Sequence, residues 1–188
     1  MIRTREDYRN YLEADRLALG CAGGLREWLR NDIWRFQRLL RKAEYRRNTA
    51  SGLIGRLLAQ LTERRLDRMG RLLGFTIPVN VFGPGLSIAH RGTIVVNEHA
   101  RIGAHCRIHV CVNIGASIRD GRAAPRIGDH CYIGPGVKMY GDIVLADDIT
   151  IGANAVVNDS FTDPSITIAG VPARKIADVG TKANRPVG

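Results

Sequence analysis

Large apolar residues recur at every sixth position through most of the second half of this 188-residue chain. They are Ile102, Ile108 and Ile114 and then, after one interruption, Ile127, Ile133, Met139, Leu145, Ile151 and Val157. A small or β-branched apolar residue stands four positions after most of them, at Cys106, Val112, Cys131, Val137, Ile143, Ile149 and Ala155. A sustained internal repeat defines the architecture of a chain, so this spacing constrains the fold before any local assignment is made.

A strict period of six matches neither of the common secondary structures. A helix repeats about every 3.6 residues and a half-buried strand about every two. A coil of three short strands needs an inward-facing residue every six positions and permissive backbone near each corner. Glycine directly follows five of the large residues, at Gly103, Gly115, Gly128, Gly134 and Gly152. The spacing therefore predicts a β-solenoid in which Cys106 and Cys131 occupy small inward positions.

The first 75 residues have a helical period instead. Thr4 and Asp7 resemble a capping pair that starts one helix, and Gly20, Gly23 and Gly24 end it. Two further stretches, separated by residues 51–52, place apolar residues at three- and four-residue steps. They are Leu25, Trp28, Leu29, Ile33, Phe36, Leu40 and Ala43, and Ile54, Leu57, Leu58, Leu61, Met69, Leu72 and Leu73. We predict a helical domain at 1–75, a β-helix domain at 76–178 and a C-terminal tail at 179–188.

Charge and cysteine usage narrow the functional class. Residues 1–75 hold 17 Lys and Arg against 9 Asp and Glu, out of 28 and 18 in the whole chain. Such an excess of positive charge can attract nucleic acid, an anionic membrane or a phosphorylated substrate. Because the basic residues are spread through amphipathic helices, we favour a solvated helical face. We expect no binding to nucleic acid. No apolar run follows the opening charges, and we expect a cytoplasmic protein. The four cysteines lack a C-x-x-C pair, so we expect buried thiols.

Several stretches resemble one family. The repeat of a large aliphatic residue, glycine and a small residue resembles the hexapeptide acyltransferases, and residues 169–176 are similar to the segment that closes many of their helices beside CoA. Residues 86–96 resemble the catalytic stretch of serine acetyltransferases. Residues 11–15 and 34–40 are similar to a subset from surface-polysaccharide gene clusters. The resemblance implies a mainly β fold, a left-handed parallel β-helix after a small α-helical domain, assembled as a homotrimer or paired trimers, with acetyl-CoA as donor.

Acetyl transfer from a thioester to a hydroxyl requires a base for the hydroxyl proton and a donor for the oxyanion. Histidine suits the first role because its pKa lies near neutral pH. The chain has five histidines: His90, His99, His105, His109 and His130. The resemblance selects His90 as the catalytic one. The cluster of His105, Cys106, His109 and Cys111 suggests a metal, but the repeat turns Cys106 inward, so we predict none.

By resemblance, CoA lies in the groove between two β-helices and is bound largely by backbone. The candidate positions are Gly115, Ala116, Gly134, Pro135, Gly152 and Ala153, with Arg174 and Lys175 for the phosphates. Both cations could equally be solvated surface charges. The interruption at 116–125 is a tolerated surface insertion or, as we favour, a flap over the thioester or a wall of the acceptor site.

Three departures from the family pattern bear on the acceptor. Serine acetyltransferases have aspartates where this chain has Ala89 and Phe75, and an Arg-His pair where it has Ala123 and Ala124. A zwitterionic amino acid needs charged partners. We therefore predict transfer to a sugar or glycan hydroxyl in surface-polysaccharide biosynthesis, with L-serine O-acetylation in cysteine biosynthesis as the alternative. A non-catalytic protein whose basic helices dock onto a partner or an anionic membrane fits the bare repeat, but His90 and residues 169–176 argue against it.

Overall fold

The computed structural model describes residues 1–182, apart from the side chains of Leu25 and Arg26. Of the predicted tail at 179–188, residues 183–188 therefore lie outside the described part of the chain, as does the side chain of Leu25 from the predicted apolar set. The first 73 residues contain the helices and residues 75–177 the strands. Among the residues described, no helix is both long and apolar enough to cross a bilayer.

Four helices precede the strands within residues 1–182: α1 (Arg5–Ala18), α2 (Gly24–Arg30), α3 (Asp32–Thr49) and α4 (Gly52–Leu73). The capping pair of α1 is confirmed, since Thr4 and Asp7 each bond the other's backbone. One predicted helix is in fact two, because Asn31 adopts an extended conformation between α2 and α3. Its side-chain oxygen accepts from the amide of Trp34, which caps α3.

The strands are short and parallel, and they form three sheets. Sheet A pairs β1, β3, β6, β9 and β12; sheet B pairs β4, β7 and β10; sheet C pairs β2, β5, β8, β11 and β13, with β14 antiparallel at its end. The strand bounds are β1 Phe75–Thr76, β2 Ser87–Ile88, β3 Ile94–Val96, β4 Arg101–Ile102, β5 Arg107–Ile108, β6 Val112–Gly115, β7 Arg126–Ile127, β8 Tyr132–Ile133, β9 Lys138–Tyr140, β10 Val144–Leu145, β11 Thr150–Ile151, β12 Val156–Val157, β13 Thr167–Ala169 and β14 Arg174–Ala177. The predicted helical region followed by a parallel β-helix is confirmed.

The six-residue repeat forms the interior of the β-helix. All nine predicted large residues are at most 5% exposed, and those on one sheet stack in register, as Ile88, Ile108, Ile133 and Ile151 do on sheet C. Cys106 and Cys131 are buried in the predicted small positions. The expectation of four buried thiols is wrong for Cys111, which is exposed at a corner with a φ of 61°.

The helices cover the open end of the β-helix at its first coil. Gln37 on α3 donates to the carbonyl of Leu86 at 2.7 Å and accepts from the amide of Ile88 at 3.3 Å. These bonds satisfy backbone groups of β2 that have no preceding strand to pair with. Phe36 and Leu40 continue the apolar core of the β-helix into the helical region. The helices and the first coil therefore share one core.

Part of the predicted helical apolar set is not buried. Trp28 and Leu29 on α2 are 40% and 57% exposed. On α4, a row of exposed apolar side chains occupies the first half of the helix, and we call it the α4 apolar row: Leu53, Ile54, Leu57, Leu58 and Leu61. The opposite side of α4 supplies the buried residues, including Leu66 and Leu73. The helical period was correct, but it did not distinguish the core side of α4 from a second, exposed apolar side.

Candidate functional site

His90 lies at the corner where the chain leaves sheet C for sheet A. It follows β2 by two residues, and its side chain is exposed. The next residue, Arg91, reaches Asp32 at the start of α3 with an N–O distance of 3.4 Å. The corner is thus tied to the helical region, while the His90 imidazole remains accessible.

Phe75, at the position where the related enzymes have an aspartate, is a core residue. Its ring is 5% exposed and packs edge-to-face on Phe36 with a centroid separation of 5.0 Å. Phe75 also opens β1 and pairs with Ile94 of β3. An apolar ring fixed in this way offers His90 no acceptor, so any group that orients His90 has to come from elsewhere.

His109 is the nearest aromatic neighbour of His90 among residues 1–182. Their ring centroids are 6.1 Å apart, because Ile108 pairs with Ile88 and places the two histidines on adjacent coils. Burial, followed by the positive charge of Arg107 and by His90, lowers the pKa of His109 below its usual value. Its Nε2 is buried and has no hydrogen-bond partner within the described residues. A neutral imidazole therefore presents an unused polar atom beside the candidate base.

The histidines and cysteines at 105–111, whose spacing could suggest a metal, do not come together in the structure. His105 stacks on His130 at a different corner, with ring centroids 5.0 Å apart, and Cys106 points into the core. No group of three or more His, Cys, Asp or Glu suited to hold a metal occurs in residues 1–182. His99 lies at the next corner, between β3 and β4, and its Nε2 approaches Glu98 at 3.9 Å.

A second set of polar side chains lies on the outer face of sheet C. Arg107 on β5 donates to the Ser87 hydroxyl on β2 at 2.8 Å, and the ring of Tyr132 on β8 lies 4.9 Å from that of His109. This face and helix α1 enclose an open groove of about 1110 Å³, which we call the α1 groove. Glu13 of α1 also lines it, and its carboxylate is occupied by two hydrogen bonds from Arg16.

The corner of His90 continues down the β-helix through two of the predicted CoA positions. Pro135 and Ala153 follow β8 and β11 by two residues, as His90 follows β2, and the three strands are in register. Gly115 and Ala116 lie at the far end of β6 on sheet A. The predicted backbone positions therefore lie along sheet A and along its corner with sheet C.

The glycines at this corner also have a structural reason. A Cβ on Gly134 would lie 2.5 Å from the carbonyl oxygen of Ile151, and one on Gly152 would lie 2.9 Å from the Cβ of Ala169. Contacts that short are not tolerated in packed structures. Stacking of successive coils thus requires Gly134 and Gly152 independently of any ligand, while the resulting smooth surface leaves room for one.

The two predicted phosphate-binding cations are exposed and ion-paired on β14. Arg174 reaches Asp159 at 3.1 Å, and Lys175 pairs with Asp178. Either cation would have to exchange its carboxylate for a phosphate on binding CoA. Exposed pairs of this kind are weak, so such an exchange costs little.

The insertion at 116–125 forms a closed turn between β6 and β7. Ser117 donates its amide to the carbonyl of Ala123, and Ala123 donates to that of Asp120. Ala124 is buried at the base of the turn, whereas Ile118 is fully exposed at its tip. The tip of the turn is therefore accessible for contact with another surface.

Comparison with known proteins agrees with this architecture. Residues 124–159 match the family model described as bacterial transferase hexapeptide, six repeats. The chain is 36% identical over 121 residues to the serine acetyltransferase of Mycobacterium tuberculosis, covering 63% of this chain and 52% of the relative. It is 34% identical over 116 residues to the serine acetyltransferase of Helicobacter pylori, and this match covers 60% of this chain and 67% of the relative.

Solved structures extend the likeness to the helices. The Neisseria gonorrhoeae serine acetyltransferase in complex with serine superposes on 92% of this chain and 70% of its own, with a TM-score of 0.72 and 28% identity. The Brucella abortus serine acetyltransferase in complex with coenzyme A superposes on 94% of this chain and 70% of its own. The TM-score is 0.73 and the sequence identity 23%, which shows the same fold. This chain spans about half the length of the first curated relatives that it matches. It belongs to the serine acetyltransferase family of hexapeptide-repeat proteins.

Proposed function

We propose that the chain is an acetyl-CoA-dependent O-acetyltransferase in which His90 is the general base. The observation that carries the proposal is the position of His90, exposed at the corner where Pro135 and Ala153 follow in register on later coils. An acetyl-CoA lying along that corner brings its thioester to the imidazole. Membership of an acetyltransferase family supports the same reaction.

The two proton transfers of the reaction require one group, the imidazole of His90. The imidazole of His90 takes the proton of the acceptor hydroxyl as its oxygen attacks the thioester carbonyl. The C–S bond of the tetrahedral intermediate then breaks, and the thiolate of CoA takes the proton back from the imidazolium. The products are the acetyl ester and CoA-SH, and neither a metal nor a covalent enzyme intermediate is needed.

L-Serine is the acceptor that we propose first. The serine acetyltransferases of Mycobacterium tuberculosis and Helicobacter pylori are similar in sequence to this chain, and the Neisseria gonorrhoeae structure holds serine. This support reverses the order of our sequence-based expectation, which placed a glycan ahead of serine. Because those relatives extend well beyond the matched region, their acceptor is a proposal for this chain.

A sugar hydroxyl is the second candidate, and specific residues favour it. Ala89 offers no charge to an ammonium group, and Ala124 is a buried side chain at the base of the insertion, where the related enzymes have a histidine. A neutral hydroxyl of a glycan needs only neutral donors and acceptors. The resemblance of residues 11–15 and 34–40 to the polysaccharide-associated subset points the same way.

We also propose that the protein acts as a homotrimer. Ile118, Val171 and Ile176 are among the apolar side chains of the strand-containing region that are exposed in the single chain. An interface between subunits in this region would bury them and remove their apolar surface from water. Light scattering tests this assembly, and a particle of three times the 20.7-kDa chain mass is expected.

The experiment for the proposed function follows CoA-SH release from acetyl-CoA with L-serine, simple sugars and a bacterial surface polysaccharide as acceptors. Release with serine alone supports the first acceptor and contradicts the second. Release with a sugar but not with serine does the opposite. Failure of every acceptor, together with no binding of acetyl-CoA, contradicts the enzyme assignment.

A further inference from the structure

Three side chains on the coils that follow His90 have no part in the acetyl-transfer step described above. Arg107, His109 and Tyr132 lie together on the outer face of sheet C, on the two coils that follow β2. Neither the stacking of coils nor the proposed CoA path requires them. They form a polar surface that begins at the candidate base and continues into the α1 groove.

Arg107 keeps most of its hydrogen-bonding capacity free. It is exposed, and one of its guanidinium nitrogens donates to Ser87. A guanidinium has five N–H donors arranged as a fork that matches a carboxylate or phosphate. No carboxylate of residues 1–182 lies within ion-pairing distance of it, and Glu13 across the groove is already paired with Arg16. Arg107 is thus a fixed cation without a counter-ion from the described chain.

His109 contributes a neutral polar atom between Arg107 and His90. Its pKa is lowered by burial first and then by Arg107 and His90, which favours the uncharged ring. The Nε2 atom is buried and unpartnered within the described residues. A buried polar atom without a partner is costly unless something that binds there satisfies it.

The spacing of these groups along the strands sets the size of a matching ligand. Ser87 lies on β2 and Ala89 directly after it, as Arg107 and His109 do for β5. In extended chain alternate residues share a face, so the members of each pair project to the same side. Two residues along a strand span about 6.6 Å. A ligand whose hydroxyl is at His90 therefore meets His109 first and Arg107 at the far end of that span.

We infer that Arg107 and His109 form an acceptor site, in which Arg107 binds an anionic group of the acceptor and His109 hydrogen-bonds the part next to the reacting hydroxyl. The inference rests on the proposed O-acetyltransferase function. The ligand class is a hydroxyl compound that carries a carboxylate or a phosphate. Serine and an acidic sugar both belong to it, and the α1 groove, at about 1110 Å³, leaves room for the larger of the two.

Arg107 and His109 also provide the two kinds of side chain that this chain lacks at positions 123 and 124. Where related enzymes hold the acceptor with an Arg-His pair, this chain has Ala123 and Ala124, and Ala124 is buried. Arg107 supplies a cation from β5, and His109 supplies an imidazole directly after that strand, instead of from a long loop. Groups on a packed strand are positioned more rigidly than groups on a loop, which favours a defined pose.

The experiment compares matched acceptor pairs that differ in one anionic group. L-Serine is paired with L-serinamide, and glucuronic acid with glucose. We expect the charged member of the active pair to have the lower KM. Arg107→Gln should raise that KM on the order of 10- to 100-fold, change kcat by less than about 3-fold, and leave the uncharged member unaffected, because a charge-assisted hydrogen bond is lost. Arg107→Lys should recover part of the loss.

Arg126→Gln is the matched control, since Arg126 is an exposed arginine on β7 of the neighbouring sheet B. Its KM values should equal those of the unmodified protein. For His109, the Leu variant should lose activity and the Asn variant should retain most of it, because only Asn keeps a hydrogen-bonding group. Thermal melting of each variant separates these effects from a loss of folding.

The outcomes separate the inference from the function on which it rests. If the protein turns over an acceptor but Arg107→Gln and Arg126→Gln behave alike, the inference is wrong and the function stands. If the uncharged members are preferred, the inference is also wrong. If acetyl-CoA binds but no acceptor is turned over, calorimetry with L-serine and glucuronic acid decides, and binding that does not depend on Arg107 overturns it. If the protein neither turns over an acceptor nor binds acetyl-CoA, both the proposed function and this inference are wrong.

Discussion

Arg41 and Asp15 form a fully buried ion pair that joins the helices to the β-helix. The Arg41 Nε–Asp15 Oδ2 distance is 2.8 Å, and neither side chain is exposed. Asp15 also accepts the amides of Gly85 and Leu86 at 2.9 Å, while Arg41 donates to the carbonyls of Phe82 and Gly83. The pair therefore satisfies four backbone groups of the first coil as well as its own charges.

The first prediction concerns the stability supplied by this pair. Asp15→Asn should lower the free energy of unfolding by about 1.5–3 kcal/mol, because charge-assisted hydrogen bonds are lost while Glu44 still pairs with Arg41 at 3.0 Å. Arg41→Met should cost more, about 3–5 kcal/mol, because it leaves the buried carboxylates of Asp15 and Glu44 without a cation. Urea unfolding followed by circular dichroism measures both.

Glu13→Gln is the control for that measurement. Glu13 is on the same helix, and its pair with Arg16 is exposed to solvent. Removing it should change the unfolding midpoint by no more than the error of the measurement. Equal effects of Asp15→Asn and Glu13→Gln would show that the buried pair does not stabilise the attachment of the helices.

The second prediction concerns His90. His90→Ala should reduce kcat by roughly 10²- to 10⁴-fold, the usual contribution of a general base. The melting temperature should not change, because the side chain is exposed and makes no core contact. His99→Ala, on a different coil, should retain full activity. A His90→Ala variant as active as the unmodified protein would show that another group takes the proton.

The third prediction uses the cysteines as probes. Cys106 and Cys131 are at most 1% exposed, and burial, followed by Glu27, raises the pKa of Cys21 to about 11. The thiolate is the reactive species, so at pH 8 only about one Cys21 in a thousand is reactive. Iodoacetamide should therefore add a single label, at exposed Cys111, and mass spectrometry of the intact Cys111→Ser variant should show none. Cys21 labelling should rise as the pH approaches 11.

Acetyl-CoA should protect Cys111 from that label. Cys111 follows β5 at the same corner as His90, directly before the coil that carries Pro135. A ligand lying along this corner would cover the thiol. An unchanged labelling rate in saturating acetyl-CoA would place the donor on another part of the β-helix.

How much of this architecture is predictable from sequence depends on the range of the interaction. The β-helix follows from the six-residue spacing because each inward residue contacts its equivalent on the next coil, so the pattern itself encodes the packing. The N-terminal cap of α1 was predictable for the same reason, since Thr4 and Asp7 contact each other locally. The exposure of Cys111 was not predictable, because Cys111 lies between the inward-facing Ile108 and Val112 at a position where the repeat sets no requirement.

The proximity of His90 and His109 could not be predicted from the sequence, because the coil between them departs from the six-residue repeat. Ile88 and Ile108 are neighbours in the structure but twenty residues apart in sequence, two more than three repeats of six. Counting in sixes therefore does not place His109 beside His90. The break at Asn31 was hidden differently, since the apolar steps continue across it and only its capping bond reveals that α3 starts anew. The arrangement of Asp15, Arg41 and the first coil depends on contacts up to 71 residues apart, which no local pattern records.

The last prediction concerns the α4 apolar row. Leu53 and Ile54 are 85% and 77% exposed, so the first half of α4 presents a bare apolar side, and four exposed arginines follow in its second half: Arg64, Arg65, Arg68 and Arg71. Apolar side chains beside clustered arginines are complementary to an anionic lipid surface, whereas a second copy of the same face would bring like charges together. We expect the protein to co-sediment with vesicles containing phosphatidylglycerol at low salt, but not with phosphatidylcholine vesicles.

Salt and substitution then identify what holds the protein to the vesicle. Raising the ionic strength from 0.1 to 1 M shortens the screening length from about 10 Å to about 3 Å, so binding carried by the arginines should be lost. Leu57→Glu should abolish binding at low salt, while Leu17→Glu, an equally drastic change at an exposed leucine of α1, should not. Binding that persists at 1 M salt would contradict the electrostatic part. A particle that Leu57→Glu splits into smaller ones in light scattering would show instead that the α4 apolar row is covered by a second copy of the chain.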